Sequence, residues 1–294
     1  MARPFKQVDV FTDRAFAGNP VAVIFDADDL TDAQMQRIAN WTNLSETTFL
    51  LRARSTEADY RLRIFSPRAE LLFGGHPTIG SAHAALEMGR LTPKNGKLVQ
   101  ECGAGLVSLT IQGEGAQRAI AFELPPARIR HLEAAEVTEL EAALGAKVEH
   151  ADPPRIVDVG LKWAVARLRD AAQVRELKPD FARLSNFDRR MVTAGVTVFG
   201  AYSAAASGDG PAVEVRSFAP LHGAPEDPVC GSGNGAVAVF LRDTGLLDAI
   251  GRHYVASQGT QVGRDGRVHI TVDERGVVRV GGHCVTCVDG TLAI

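Results

Sequence analysis

The chain has 294 residues, 45% of them hydrophobic, with 32 Lys and Arg against 35 Asp and Glu and a formal net charge of −3. That length suits two domains with apolar cores, and the even charge balance, with no basic run or stripe, argues against nucleic acid as a partner. No stretch reaches membrane-spanning length, residues 1–6 lead into a strand without an apolar signal-peptide core, and four cysteines in so long a chain make no disulfide framework, so a reducing cytoplasmic setting is expected.

In chain order, Gln7–Phe11 alternates and meets a turn at Gly18-Asn19-Pro20, after which Val21–Phe25 reads as a buried strand. Thr31 caps a helix through about Trp41, with Met35, Ile38 and Ala39 at helical spacing. Glu46 stands immediately before a short strand, Thr47–Leu51, and Tyr60–Phe65 alternates as a further one. Ile79–Met88 is apolar nearly all round, which predicts a helix buried on most sides. Leu98–Gln100, Leu106–Ile111 and Ile120–Leu124 read as strands, and Pro125-Pro126 marks a junction. Beyond it come a helix near Val137–Leu144, strands at Ile156–Val159, Ala164–Leu168, Val196–Tyr202 and Ala212–Phe218, and a second buried helix at Ala236–Thr244. Strands at Tyr254–Ser257, Val268–Val272 and Val277–Val280 follow, and Val285–Val288 is expected to cross back to the first half.

The second half repeats the first. Arg63-Ile-Phe65-Ser-Pro67, Glu70 and Gly74-Gly75-His76-Pro77 precede one alanine-rich helix ending at Gly89; Arg216-Ser-Phe218-Ala-Pro220, Glu226-Asp227 and Cys230-Gly231-Ser232-Gly233 precede another ending at Gly245. Both the turns and the helix ends are 156 residues apart, and Cys102-Gly103 matches Gln258-Gly259 at the same offset. The expected class is α+β: two pseudo-symmetric domains, each a curved, mainly antiparallel sheet or barrel around a central apolar helix, with the active site in the interdomain cleft. The expected boundaries are 1–125 plus about 284–294, and 126–283. Two glycine-rich turns at helix starts would together hold one anion.

Glu46 beside an apolar strand is either an exposed strand-start glutamate or a general base whose pKa is raised by partial burial. At Gly74-Gly75-His76-Pro77 the glycines let backbone N–H groups approach a ligand, Pro77 suits a first helical turn, and His76 is a candidate proton donor or orienting partner. In the second turn Asp227 could hold a substrate amine or orient His76, Ser232 could donate a hydrogen bond, and Cys230 is either packed or a thiol acid/base whose pKa a helix start should lower. Gly231 and its neighbours also match a dinucleotide pattern, but Pro225–Pro228 reads as non-strand with no βαβ unit around it. A P-loop lacks its Gly-Lys-Ser/Thr ending, and Cys284 and Cys287 form a single C-x-x-C better read as core packing than as a metal site.

Gly18-Asn19-Pro20, Ser45-Glu46-Thr47, Gly75-His76-Pro77 with Gly80-Ser81-Ala82, and Glu226-Asp227-Pro228 through Gly231-Ser232 together resemble the PhzF-like isomerases, over nearly the whole chain and in order. That resemblance implies the diaminopimelate epimerase-like fold, a homodimer, and neither cofactor nor metal. It places Glu46 at the catalytic acid/base, His76, Asp227 and Ser232 at the other active-site polar positions, and Asn19 on the cleft. Cys230 departs from the Thr common in the family, while epimerase and racemase relatives carry a cysteine at each helix start; here Gly74 replaces the first.

The expected activity is therefore cofactor-independent isomerisation of a small carboxylic acid. Glu46 moves a proton between carbons, giving a double-bond shift, while Gly74, Gly75, Cys230, Gly231 and Asn19 line the substrate. The alternatives are a two-base epimerase using Glu46 and Cys230, and a non-catalytic protein that closes on a small carboxylate.

Overall fold

The computed structural model describes residues 2–203, 210–222 and 224–294. By its own packing the chain divides into Met1–Glu123 with Gly281–Ile294, and Leu124–Val280. Both units are α+β, and in both the strands pair mainly antiparallel.

In the first unit β1 (Ala2–Val10) pairs antiparallel with β2 (Asn19–Ile24) and with the C-terminal strand Cys284–Ala293. Helix α1 (Asp32–Thr42) then carries the chain to β3 (Glu46–Leu51), which runs parallel to β2. Thr31 caps α1 in a reciprocal box with Gln34, and Asn43 ends it in the left-handed conformation. β4 (Tyr60–Phe65) returns antiparallel to β3 and pairs with the short β5 (Glu70–Leu71). Helix α2 (Gly75–Glu87) follows, then β6 (Lys97–Cys102) parallel to β4, and β7 (Gly105–Gln112) and β8 (Ala119–Glu123) as a meander.

Every residue of α2 from Gly75 to Leu86 is buried, and the helix packs on β1, β2, β3, β4, β8 and the C-terminal strand. Small side chains make this possible: a Cβ on Gly80 would lie 2.5 Å from Val21 Cγ1 and 2.8 Å from Val10 Cγ2. Two hydroxyls on this helix are paired: Ser81 Oγ bonds Thr48 Oγ1 at 2.8 Å, and Thr78 Oγ1 accepts from Gln100 Nε2 at 3.0 Å. On another face, Met35 and Ala39 of α1 pack with Ile24, Phe49 and Phe65.

The second unit holds β9 (Arg128–His131), α3 (Ala134–Leu144), β10 (Arg155–Asp158), β11 (Lys162–Arg167), α4 (Ala171–Glu176) and α5 (Phe181–Met191). It continues through β12 (Gly195–Ala201), β13 (Val213–Ala219), β14 (Ala224–Asp227), α6 (Gly231–Asp243), α7 (Leu247–Ile250), β15 (His253–Gln258), β16 (Gly266–Val272) and β17 (Val278–Gly282). The pairing repeats that of the first unit: β11 and β12 are parallel across α4 and α5, and β13 and β15 are parallel across the buried helix α6.

The likeness extends to side chains. Arg63 grips Glu70 through Nε and Nη2 at 2.7 and 2.6 Å, and Arg216 grips Glu226 through the same atoms at 2.9 and 2.7 Å. Each guanidinium lies over the phenylalanine two residues on, 5.1 Å from Phe65 and 5.0 Å from Phe218. The copies differ in burial: Arg216 and Glu226 side chains are 4% and 7% exposed, while Glu70 is 43% exposed. Removing one partner of a buried pair strands the other charge. Arg216→Met, which keeps the aliphatic stem, is expected to cost about 3–5 kcal/mol. Arg63→Met should cost about 1 kcal/mol or less, and urea unfolding of both variants checks the contrast.

Three sequence expectations are corrected. Asn19 and Pro20 belong to β2, not to a turn; the close approach is made by Gly18, where a Cβ would fall 2.3 Å from Val10 O. Pro20 is tolerated because β3 begins pairing only at Val21. Ala224–Asp227 is a strand, paired antiparallel to β13 with an irregular register, and β13 and β15 do make a parallel crossover around α6. The strand entering the glycine turn is nevertheless antiparallel, so the turn does not follow a parallel strand as a dinucleotide site requires. Cys284 is core, but Cys287 is only half-buried, because the C-terminal strand packs tightly at its start alone.

Candidate active site

In the first unit the parallel pairing of β2 and β3 begins at Val21 opposite Glu46. Asn19 and Glu46 therefore lie where these strands start, and the first turn of α2 brings His76 to them. His76 Nε2 is 3.1 Å from Glu46 Oε2, and His76 Nδ1 is 3.4 Å from Asn19 Nδ2. Asn19 and His76 are buried, and the Glu46 side chain is 19% exposed. With the Asn19 amide as donor, the imidazole proton sits on Nε2, toward the carboxylate. The facing Nε2 and Oε2 atoms are close but not aligned as a hydrogen bond, so both keep capacity for a substrate atom.

Burial pushes the Glu46 carboxyl up, but the electrostatic pull and hydrogen-bonding capacity of the adjacent His76, with Ser45, outweigh it and hold the carboxyl below its usual range. The expected upward shift is thus overturned by the imidazole partner. Gly74 is the N-cap of α2 with no side-chain cap, so the Gly75 and His76 amides open the helix without a competing side chain.

In the second unit Cys230 is the N-cap of α6, its Sγ accepting the Gly233 N–H at 3.3 Å. Asp227 Oδ1 accepts from Val229 N at 3.0 Å, shaping the approach. Two residues not singled out from the sequence as site residues clamp this loop. Gln258 accepts from Cys230 N at 3.1 Å and donates to Asp227 O at 2.9 Å; Asn234 donates to Cys230 O and to Gln258 Oε1, both at 2.8 Å. Gln258 was visible as the match to Cys102 in the repeat, although its role was not. Gly231 opens the helix beside Ser232, whose Oγ accepts from Trp163 Nε1 at 3.0 Å. Asn19, Glu46, His76, Gly74 and Gly75 thus form one cluster, and Asp227, Cys230, Gly231 and Ser232 another.

The Cys230 thiol does not follow the helix-start expectation. Burial and the Asp227 charge push it well above its usual value, against smaller opposing pulls from Ser232 and the Gly233 amide. It is neutral at pH 7 and serves as a cap. Cys230→Thr, which replaces sulfur by the better capping oxygen, is expected to leave the melting temperature and turnover nearly unchanged. Mass-mapped alkylation should show Cys230 unreactive at neutral pH; fast labelling there contradicts the neutral thiol.

The second unit also lacks a counterpart of Glu46. Its parallel pair begins at Trp163 opposite Gly195, so glycine occupies the position of the carboxylate. A Cβ on Gly195 would lie 2.2 Å from Phe218 O and 2.7 Å from Trp163 Cζ3. One half carries the Glu46–His76 pair at this point, and the other carries glycine.

Residues 8–290 match the family model for phenazine biosynthesis-like proteins, PhzC-PhzF. The chain belongs to that family. Its relatives include "Antisense-enhancing sequence 1" of Schizosaccharomyces pombe, 45% identical with 97% of each chain covered. Another is the trans-2,3-dihydro-3-hydroxyanthranilate isomerase of Pseudomonas chlororaphis, 33% identical with 98% of each covered. A solved PhzF-family protein of Bacillus anthracis shares the fold, with a TM-score of 0.86 at 24% identity over 100% of both chains. The PhzF family is one of isomerases, and this chain is an enzyme of that class with the diaminopimelate epimerase-like fold.

Proposed function

We propose that the protein is a cofactor-independent isomerase that shifts a double bond in a small carboxylic acid, with Glu46 as the acid/base. The observation that carries this reading is the Glu46–His76 pair, an ionised carboxylate beside an imidazole, with Gly195 at the corresponding position of the other half. Glu46 takes a proton from a carbon next to an unsaturated system, and the electron pair left behind delocalises toward the substrate carboxylate. The double bond moves, and the Glu46 carboxylic acid returns the proton to a distal carbon, so no atom is gained or lost. His76 steadies the Glu46 charge, Asp227 holds a substrate amine, and Asn19 orients the imidazole. The amides after Gly74 and at Gly231, with Ser232, take the substrate carboxylate.

The two-base alternative is weakened by the neutral, capping thiol of Cys230. A cytoplasmic homodimer is part of the proposal, and light scattering checks the assembly. Among the described residues no helix is long and apolar enough to cross a membrane.

The first compound to try is trans-2,3-dihydro-3-hydroxyanthranilate, which the Pseudomonas chlororaphis protein is named for, followed by small unsaturated carboxylic and amino acids. Incubation in deuterated water should put deuterium into the reactive compound, read by mass spectrometry. A protein that binds such acids but exchanges none of their carbon-bound hydrogens is a binder, and the isomerase reading is then wrong.

A further inference from the structure

Trp163 at the second residue of β11 is buried, and its indole N–H can only donate. In the 3.0 Å bond to Ser232, the serine oxygen is therefore the acceptor, and its own proton must go elsewhere. The neighbour in reach is Cys230 Sγ at 3.6 Å, a weak acceptor that already receives the Gly233 N–H. An anionic oxygen would displace it readily. The indole is held in place from behind: Gly195 leaves the space that its ring edge fills, and any side chain there would collide with Cζ3. Ser232 itself stays partly exposed in the first turn of α6, while the rest of that turn is buried.

We infer that Trp163 is a positioning residue that commits the Ser232 hydroxyl to donate to a substrate carboxylate. This rests on the small-carboxylate reading above. The indole takes one of the two lone pairs of the serine oxygen, so the hydroxyl cannot accept from a ligand on that side. The Ser232 O–H is left with only the weak sulfur acceptor inside the protein, and a carboxylate oxygen supplies a stronger one. The arrangement favours an acceptor at this spot and gives the buried tryptophan a part in choosing substrate.

The test has two arms. Trp163→Phe removes the N–H and keeps an aromatic ring; Ser232→Ala removes its acceptor. The first arm needs no ligand: the indole N–H resonance of Trp163, told apart from that of Trp41 by its loss in Trp163→Phe, should move upfield and exchange faster with deuterium in Ser232→Ala. An unchanged resonance and exchange rate overturn the inference. The second arm titrates 3-hydroxyanthranilate, a stable aromatic carboxylate, by calorimetry. Trp163→Phe should weaken binding about 3–10-fold, as expected for one neutral hydrogen bond. In the Ser232→Ala background the same change should add nothing. An equal penalty in both backgrounds, no penalty, or a wild type that does not bind the acid overturns the assignment. A protein that shows this coupling yet exchanges no substrate hydrogen would refute the isomerase reading and leave the Trp163 assignment standing.

Discussion

Glu46→Gln is expected to lower turnover by about 10²–10⁴-fold, the usual contribution of a positioned acid/base group, while the protein stays folded. The amide has the shape of the carboxylate and can still face His76, but it cannot take a proton from carbon. Deuterium incorporation should fall in parallel with product formation, because both need the same abstraction. Binding of 3-hydroxyanthranilate should survive, since Glu46 is assigned to proton transfer rather than to the substrate carboxylate. A folded Glu46→Gln protein with near-normal turnover would remove Glu46 from the mechanism. Retained exchange with lost product would instead mean that Glu46 only returns the proton.

The repeat made much of the fold legible, because it set two glycine turns and two apolar helices at a fixed offset, and the structure forms helices at Gly75–Glu87 and Gly231–Asp243. Tyr60–Phe65 also forms as its alternation predicts. Less legible were α4 and α5, whose signals are short-range: Asp170 and Asp180 cap them, accepting backbone N–H groups at 2.8 and 3.0 Å, and their buried residues are few, Ala171 and Val174 on α4 and Leu184, Phe187 and Asp188 on α5. Six residues in the stretch after Tyr202 lie outside the described residues.

Site chemistry was less legible than site location. That Glu46 stands beside a strand could be read from the chain; that His76 would reverse the effect of burial on it could not, because the two are thirty residues apart and meet only through parallel pairing and a buried helix. Cys230 shows the converse. Its helix-start position was readable and suggested a reactive thiol, but its burial and the nearby Asp227 charge decide its state. Nothing in the sequence singled out Trp163, whose polar edge matters only because Gly195 and Ser232 meet it. Duplication explains the pattern: both halves keep the scaffold and the arginine–glutamate clamp, and differ where parallel pairing begins, with Glu46 in one and Gly195 in the other.

His76→Gln should change the pH dependence of both activity and stability, with a predictable sign. In the wild type the carboxyl of Glu46 is held below its usual range by His76 against the push of burial. The ionised pair therefore contributes stability above the ordinary glutamate value of about 4.3, and that contribution is lost as pH falls through the lower folded value. Without the imidazole only burial and Ser45 remain, and burial, the largest single influence, raises the carboxyl above its usual range. The sign then reverses: ionised Glu46 destabilises the folded protein near neutral pH, and acidification relieves it. Melting temperatures of His76→Gln and of His76→Gln/Glu46→Gln measured from pH 4 to 8 isolate the carboxyl, and the gap between them should widen with pH. The acid limb of turnover should move to higher pH, with a loss of about 10²-fold at neutrality. A gap that does not depend on pH, or an acid limb that stays in place, would show that His76 does not hold Glu46 ionised and that its part in the reaction lies elsewhere.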